Sequence, residues 1–179
     1  MPSDLTAKGI AAGQTYTPLL ALGPAATATA TPNISTSAES NLGDLFCQAL
    51  LAKATGPAVC ILNGGAFQAD IPLGPVGLAA LQQAYPRNDR VVALAVPGEL
   101  VLRMLQYGVS GWPNGEQFPQ VAGLQYGFLA VPDFHLGYSS RVTDAALVSP
   151  ATGALVQPLR SVPALTLFTS SYLMTNKSG

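Results

Sequence analysis

From Glu39 onward the apolar positions follow two rhythms in turn. Leu42, Leu45, Phe46, Ala49 and Leu50 recur at the spacing that puts side chains on one face of a helix. Ser37 or Ser40 supplies its N-cap, Glu39 and Asp44 suit its positive end, and the helix should run to about Ala54, before Gly56-Pro57. Ala58-Val59-Cys60-Ile61-Leu62 is an unbroken apolar run of strand length, as expected of a strand buried on both faces. A second, short helix is expected over about residues 76–84, stopped by Tyr85-Pro86. Residues 90–96 are a β-branched run suited to a central strand. Pro97-Gly98-Glu99 opens a third helix with Leu100, Met104 and Tyr107 on its apolar face, ended by Gly108 and Gly111. Beyond the turn-rich residues 111–120, strands are expected at 121–131, 139–148, 155–159 and 165–173, with a turn at Pro150-Ala151-Thr152-Gly153. Helices crowd the first half and strands the second. That order predicts an α/β (α+β-like) fold, a mixed β-sheet with flanking helices.

Residues 1–38 read differently. Ala and Thr alternate from Ala25 to Thr31, and Pro18, Pro24 and Pro32 punctuate the segment. It is expected to be a linker or N-terminal arm with one short strand near residues 16–21, leaving residues 39–179 as one domain. A chain of 179 residues suits a single domain with a real core. Charged residues make up only 9% of it, against about 25% in an ordinary soluble domain. The surface is therefore left to small and neutral polar side chains, which another domain can cover. With a net charge of −1 and no Lys/Arg patch, nothing is present to displace counterions from phosphates, which argues against a nucleic-acid partner. No apolar stretch is long enough to span a membrane, and no basic-then-apolar leader opens the chain. Cys47 and Cys60 fall on the first helix and the strand after it; buried free thiols are the favoured reading, a single disulfide the other.

Candidate chemistry centres on Asn63-Gly64-Gly65-Ala66-Phe67-Gln68, directly after the buried strand. An asparagine and two glycines there turn the backbone sharply and are expected to leave its N–H groups uncovered, so that a ligand can approach the carboxyl end of the strand. No complete catalytic set accompanies it. His135, the single histidine, lies in the loop-like Pro132-Asp133-Phe134-His135-Leu136 and reads as a surface or capping residue. One histidine and two isolated cysteines cannot build a metal centre, and Asp44, Asp70, Glu99 and Asp133 form no evident pair. Asn63-Gly64-Gly65 lacks the further glycine and lysine of a nucleotide-phosphate loop. Taken alone, the chain reads as a binding domain.

Six stretches in chain order resemble one known family. Glu39-Ser40-Asn41-Leu42-Gly43-Asp44-Leu45 looks like the E-[ST]-N-L-G-[ND]-L helix start of the C-terminal domain of 5′-nucleotidases. Residues 63–68 are similar to its N-G-G-[GA]-I-R loop, and Asp70-Ile71-Pro72-Leu73-Gly74 to the segment that follows. Tyr85-Pro86-Arg87-Asn88-Asp89 with Val91-Val92 resembles P-F-G-N-x-[VL]-V, and Pro97-Gly98-Glu99-Leu100 resembles T-G-x-x-L. Phe118-Pro119-Gln120-Val121-Ala122-Gly123-Leu124 resembles F-[PL]-Q-[VF]-[SG]-G-[LI], and Ser171-Tyr172-Leu173 the aromatic strand end before G-G-D-G-[YF]. The matches cover about three quarters of the chain.

The resemblance implies the substrate (nucleotide)-recognition domain of a metallophosphohydrolase of nucleotide catabolism. Its base would be clamped between two rings, and cleavage would occur at two divalent metals in a separate N-terminal metallophosphoesterase domain, joined in cis or acting in trans. On that reading Asn63, Gly64, Gly65, Gln68, Arg87 and Tyr172 line the pocket for a nucleotide or nucleoside-like small molecule. The chain would hold no cofactor of its own and be inactive alone, and a periplasmic or extracellular setting is implied. The sequence departs from the pattern in four places. Gln68 stands at the loop arginine, Arg87 at the first clamp ring, residues 35–38 lack an arginine, and the chain reaches Gly179 without G-G-D-G-[YF], as if truncated at its C-terminus. Two other functions stay open: a non-catalytic interaction module that kept the fold, and a domain of a sibling hydrolase with a non-nucleotide substrate, thiosulfohydrolase-like.

Overall fold

Ser40 starts the first helix. Its backbone is extended and its Oγ accepts the Gly43 N–H, so helix α1 (Asn41–Leu51) begins with one of its orphan donors satisfied. This computed structural model describes residues 15–16, 34–71, 74–135, 137–149 and 152–175. Within them β1 (Thr15–Tyr16) precedes α1, and β2 (Ala58–Asn63), β3 (Gly74–Pro75), α2 (Leu78–Ala84), β4 (Val91–Val96) and α3 (Gly98–Val109) follow. Then come β5 (Pro119–Ala122), β6 (Leu124–Asp133), β7 (Gly137–Val148), β8 (Leu155–Pro158), β9 (Leu165–Ser170) and α4 (Ser171–Thr175).

The main sheet runs in the order β4-β9-β2-β5 and is mixed, as the element order predicts: β2 and β9 are parallel, while β4 and β5 pair antiparallel to their neighbours. β6, β7 and β8 form a second, antiparallel sheet, and β1 pairs with β3. In the arm a two-residue strand lies at Thr15–Tyr16, which shares only Tyr16 with the strand expected near residues 16–21; residues 17–21 lie outside the described residues. Because β2 is covered on both faces, its alternate side chains feed two cores. Cys60 and Leu62 join Leu42, Phe46, Phe67, Tyr85 and Phe168 under α1 and α2. Val59 and Ile61 join Val101, Leu105, Leu147, Leu165 and Leu167 under α3 and the second sheet. A fully buried side chain such as Phe67 or Leu105 contributes about 1.5–3 kcal/mol by leaving water.

Five expectations need correction. Residues 90–96 form an edge strand instead of a central one, because β9 returns from the end of the chain and inserts between β4 and β2. The strand expected over 121–131 is two strands, broken where Gly123 takes φ +79° and the chain passes from one sheet to the other. The last strand stops at Ser170, and Ser171-Tyr172-Leu173 opens α4. On α3, Leu100 and Tyr107 are exposed, and the core takes Val101, Leu105, Gly108 and Val109. The two stripes have the same helical spacing and lie one residue apart. Gly108 decides between them, since a Cβ there would collide with Pro119. Finally, Cys47 and Cys60 are joined in a disulfide, with S–S 2.04 Å and Cα–Cα 5.3 Å. It links α1 to β2 across 13 residues, and loop closure of that size contributes about 3 kcal/mol.

Two expected outcomes follow from this packing. A Cβ on Gly64 would overlap the Ser35 carbonyl, whereas Gly56 has nothing within 4 Å. Gly64→Ala should lower the urea-unfolding free energy by about 2–3 kcal/mol, and Gly56→Ala should change it by no more than about 0.5 kcal/mol; equal effects would show that Gly64 is not held by a close approach. The second concerns pH. Burial, and then the Glu39 carboxylate, push the Asp44 carboxyl from 3.8 up to about 7. The folded chain keeps a proton there that the unfolded chain gives up, so this contribution is full below about pH 4 and is lost as pH rises to about 7. Urea midpoints measured from pH 4 to pH 8 should fall less steeply for Asp44→Asn than for the parent, and parallel profiles would refute the assignment.

Candidate functional site

The parallel pair β2 and β9 defines one end of the main sheet. Their register runs from Ala58 opposite Thr166 to Cys60 opposite Phe168, so their carboxyl ends lie together, with Asn63 leading into the glycine loop and Ser170 into α4. The start of β4 lies at this end too, because Val91 pairs with Ser170. Crevices at the carboxyl ends of parallel strands are the usual ligand sites of open α/β sheets. A cleft of about 290 Å³ opens here, lined by Asn63, Met104, Tyr107, Gln117 and Leu173 among others.

Asn63 is the polar anchor of this cleft. It is only 4% exposed, and its Oδ1 is buried with no hydrogen-bond partner. A buried amide oxygen left without a donor costs about 1–3 kcal/mol, so the position calls for an explanation other than stability. The next two residues behave differently from the expectation of uncovered N–H groups. Gly64 donates to the Phe118 carbonyl at 2.7 Å and Gly65 to the Glu116 carbonyl at 2.8 Å. Both glycines are buried, and a Cβ on Gly65 would meet Glu116 as one on Gly64 would meet Ser35. The glycines are there so that the chain can cross itself closely. The 3₁₀ turn Gly64–Ala66 is therefore a clamped structural turn that holds Asn63 in place.

Gln68, at the end of the loop, is exposed, and its Nε2 donates to the Gly65 carbonyl at 2.6 Å. Its backbone N–H donates to Ala84, which fixes the loop against the end of α2. Just beyond, Tyr85 is buried in a ring cluster with Phe46 and Phe67, and its hydroxyl reaches Asp89 Oδ2 at 3.2 Å. Burial, with the Asp89 carboxylate second, pushes the Tyr85 phenol up. This anchors the turn that carries Arg87. The Arg87 guanidinium lies 5.7 Å from the centre of the Tyr172 ring, a cation–π contact on an exposed surface. Tyr172 is set by the start of α4: Ser171 N–H donates to the Arg90 carbonyl, and Arg90 N–H to Ser171 Oγ.

Of the six sequence-predicted residues only Asn63 lines this cleft, and the six fall into two groups. Asn63, Gly64, Gly65 and Gln68 form the loop, and Arg87 and Tyr172 meet as a pair. Met104, Tyr107 and Leu173 line the cleft without having been singled out for it. The signal for Tyr107 was available, since it belongs to the α3 stripe that the core does not use. His135 is exposed, with its N–H on Asp133 Oδ1. Among the described residues no three His, Cys, Asp or Glu side chains are gathered. No helix among them is long and apolar enough to cross a membrane.

Comparison with known proteins agrees with this architecture. The trifunctional nucleotide phosphoesterase protein YfkN of Bacillus subtilis (strain 168) is 34% identical over 94 residues, which is 50% of this chain and 6% of that protein. The crystal structure of the 5′-nucleotidase precursor from Thermus thermophilus matches with a TM-score of 0.66 and 29% identity, over 78% of this chain and 27% of that one. Haemophilus influenzae NAD nucleotidase (NadN) shares the fold, with a TM-score of 0.67 at 19% identity over 97% of this chain and 31% of that one. The chain therefore spans less than a third of each of these relatives. A family model described as the 5′-nucleotidase C-terminal domain matches residues 22–179, and the chain belongs to that family.

Proposed function

We propose that this domain recognises the nucleoside part of a nucleotide at the carboxyl ends of β2 and β9, for a phosphohydrolase whose metals lie in a separate phosphoesterase domain. The observation that carries this reading is Asn63: a buried amide with an unused acceptor, on a rigid turn, at the wall of a cleft. A nucleobase offers the donor and acceptor edge such an amide pairs with.

Tyr172 and Arg87 supply the planar faces. Two stacked layers on either side of a base need about 7 Å, and the Arg87–Tyr172 distance is 5.7 Å. Entry of a base between them requires the exposed guanidinium to swing outward by about 1 Å. Stacking on such a platform contributes about 1–3 kcal/mol per base. The chemical step belongs to two divalent metals carried by the phosphoesterase domain; this chain binds and orients.

A second reading has its own observation. Gln68 is turned back onto the Gly65 carbonyl and Arg87 already covers Tyr172, so both polar reaches are closed in this state. That favours an interaction module that kept the fold without nucleotide recognition, or a sibling hydrolase domain with another substrate.

Calorimetry on the purified chain with adenosine, AMP and UMP separates the readings. Saturable binding is expected, weakened about tenfold by Tyr172→Ala, the loss of one stacked face, and likewise by Asn63→Ala. No heat at millimolar ligand would sink the nucleoside reading in favour of the module. A phosphate assay on AMP with added Mn²⁺ or Zn²⁺ should show no release by this chain, and release would place catalysis inside it.

A further inference from the structure

A second cleft, of about 510 Å³, shares only Pro119 with the one beside Asn63. It lies between residues 37–39 and the corner where β5 passes into β6. Phe118, Tyr126 and Phe128 wall it, and Glu39 is the one charged residue among those that line it. The rings are differently inclined. Tyr126 and Phe128 lie near parallel, at 26° with centroids 6.3 Å apart, and Phe118 meets Phe128 at 66° and 5.9 Å. Aromatic rings attract cations through their faces, and here the lining rings share the cleft with a single carboxylate.

The phenol that would suit an anion is committed elsewhere. The Tyr126 hydroxyl donates to the Pro119 carbonyl at 3.3 Å. No Lys or Arg lines the cleft. The acid is also held in place by its neighbours. The Ser37 carbonyl accepts from Trp112 Nε1, the Ala38 carbonyl from Gln120 Nε2, and the Ser40 N–H donates to Gln120 Oε1, so the backbone on both sides of Glu39 is fixed. A second acid, Asp44, lies beside it, and its carboxyl is hydrogen-bonded to Glu39 and feels the Glu39 charge. A carboxylate carried on this fixed backbone beside apolar aromatic walls suits a cation with apolar substituents.

We propose that this cleft binds an alkylammonium group, its apolar substituents against Phe118, Tyr126 and Phe128 and its charge on Glu39. The group arrives either on a small molecule or as a lysine side chain of a partner, and the two sources share this chemistry. The site is separate from the one beside Asn63 and does not depend on nucleoside recognition.

The test is an NMR titration of the 179-residue chain with choline, with its uncharged isostere 3,3-dimethylbutanol, and with a short peptide containing one trimethyllysine. Choline should give saturable shifts at the amides of residues 37–39 and 124–128, with about tenfold tighter binding than the isostere. Glu39→Gln, a change at an exposed position, should remove most of that difference, and Phe128→Leu should weaken choline several-fold. Tighter binding of the peptide than of choline assigns the group to a partner chain, and the reverse to a small molecule. Equal binding of choline and isostere, undiminished binding by Glu39→Gln, or no saturable shift at those amides overturns the proposal.

Discussion

The buried amide of Gln120 is the contact on which the arrangement of this domain depends. The residue is wholly enclosed, and every hydrogen-bonding position of its side chain is used. Nε2 donates to the Ser35 and Ala38 carbonyls, and Oε1 accepts from the Ser40 N–H and hydroxyl. Ser40 passes the chain of bonds on by accepting the Gly43 N–H, and Gly43 itself must lack a Cβ because Gln120 occupies that space. Ser35 extends the network to the glycine loop through its bond to the Gly64 carbonyl, while Gly64 and Gly65 return bonds to Phe118 and Glu116. Residues 35–43, 63–68 and 116–123 thus form one laced unit. An unmade bond to a buried group costs about 1–3 kcal/mol, so the unit forms as a whole or loses several such terms together.

That unit explains why the sequence was legible where it was. The E-S-N-L-G, N-G-G and F-P-Q stretches read as three separate motifs along the chain. In the fold they are three sides of a single contact, in which Ser40 and Gly43 fit Gln120 and Gly64 fits Ser35. Local signals did well where one residue decides: Ser40 as the cap of α1, the apolar run of β2, the stop of α2 at Tyr85. They failed where a distant segment decides. β4 is an edge because β9, far later in the chain, takes the central place beside it. The α3 stripes are equivalent by spacing, and only the approach of Pro119 to Gly108 chooses between them. The disulfide depends on α1 folding back across β2, which no spacing of two cysteines announces.

The chemistry of the glycine loop was not legible in the sequence. The expectation that the loop glycines present N–H groups to a ligand followed from their place after a buried strand. In the fold those N–H groups are spent on Phe118 and Glu116, and the glycines serve close packing. What the turn exports is Asn63, the residue before it, with its amide oxygen unpaired. A rigid turn with a single unpaired polar group has a clear physical use. Stability is given up at one atom to keep that atom oriented, and the laced unit around it covers the loss.

Charge placement carries the last step. In this chain the loop position at 68 is neutral and bonded to its own turn, while the cation nearby is Arg87, lying over Tyr172. The Arg87 guanidinium is exposed, unlike Asn63, which is enclosed. On the nucleoside reading, the cation then sits on the side of the ring platform and the fixed amide on the side of the strand end. On that same reading Asn63 orients the base and Arg87 closes over it: the enclosed group selects and the exposed group follows. The nucleoside reading leaves the phosphate end to a separate phosphoesterase domain, and the chain itself spans less than a third of each of the three relatives named above.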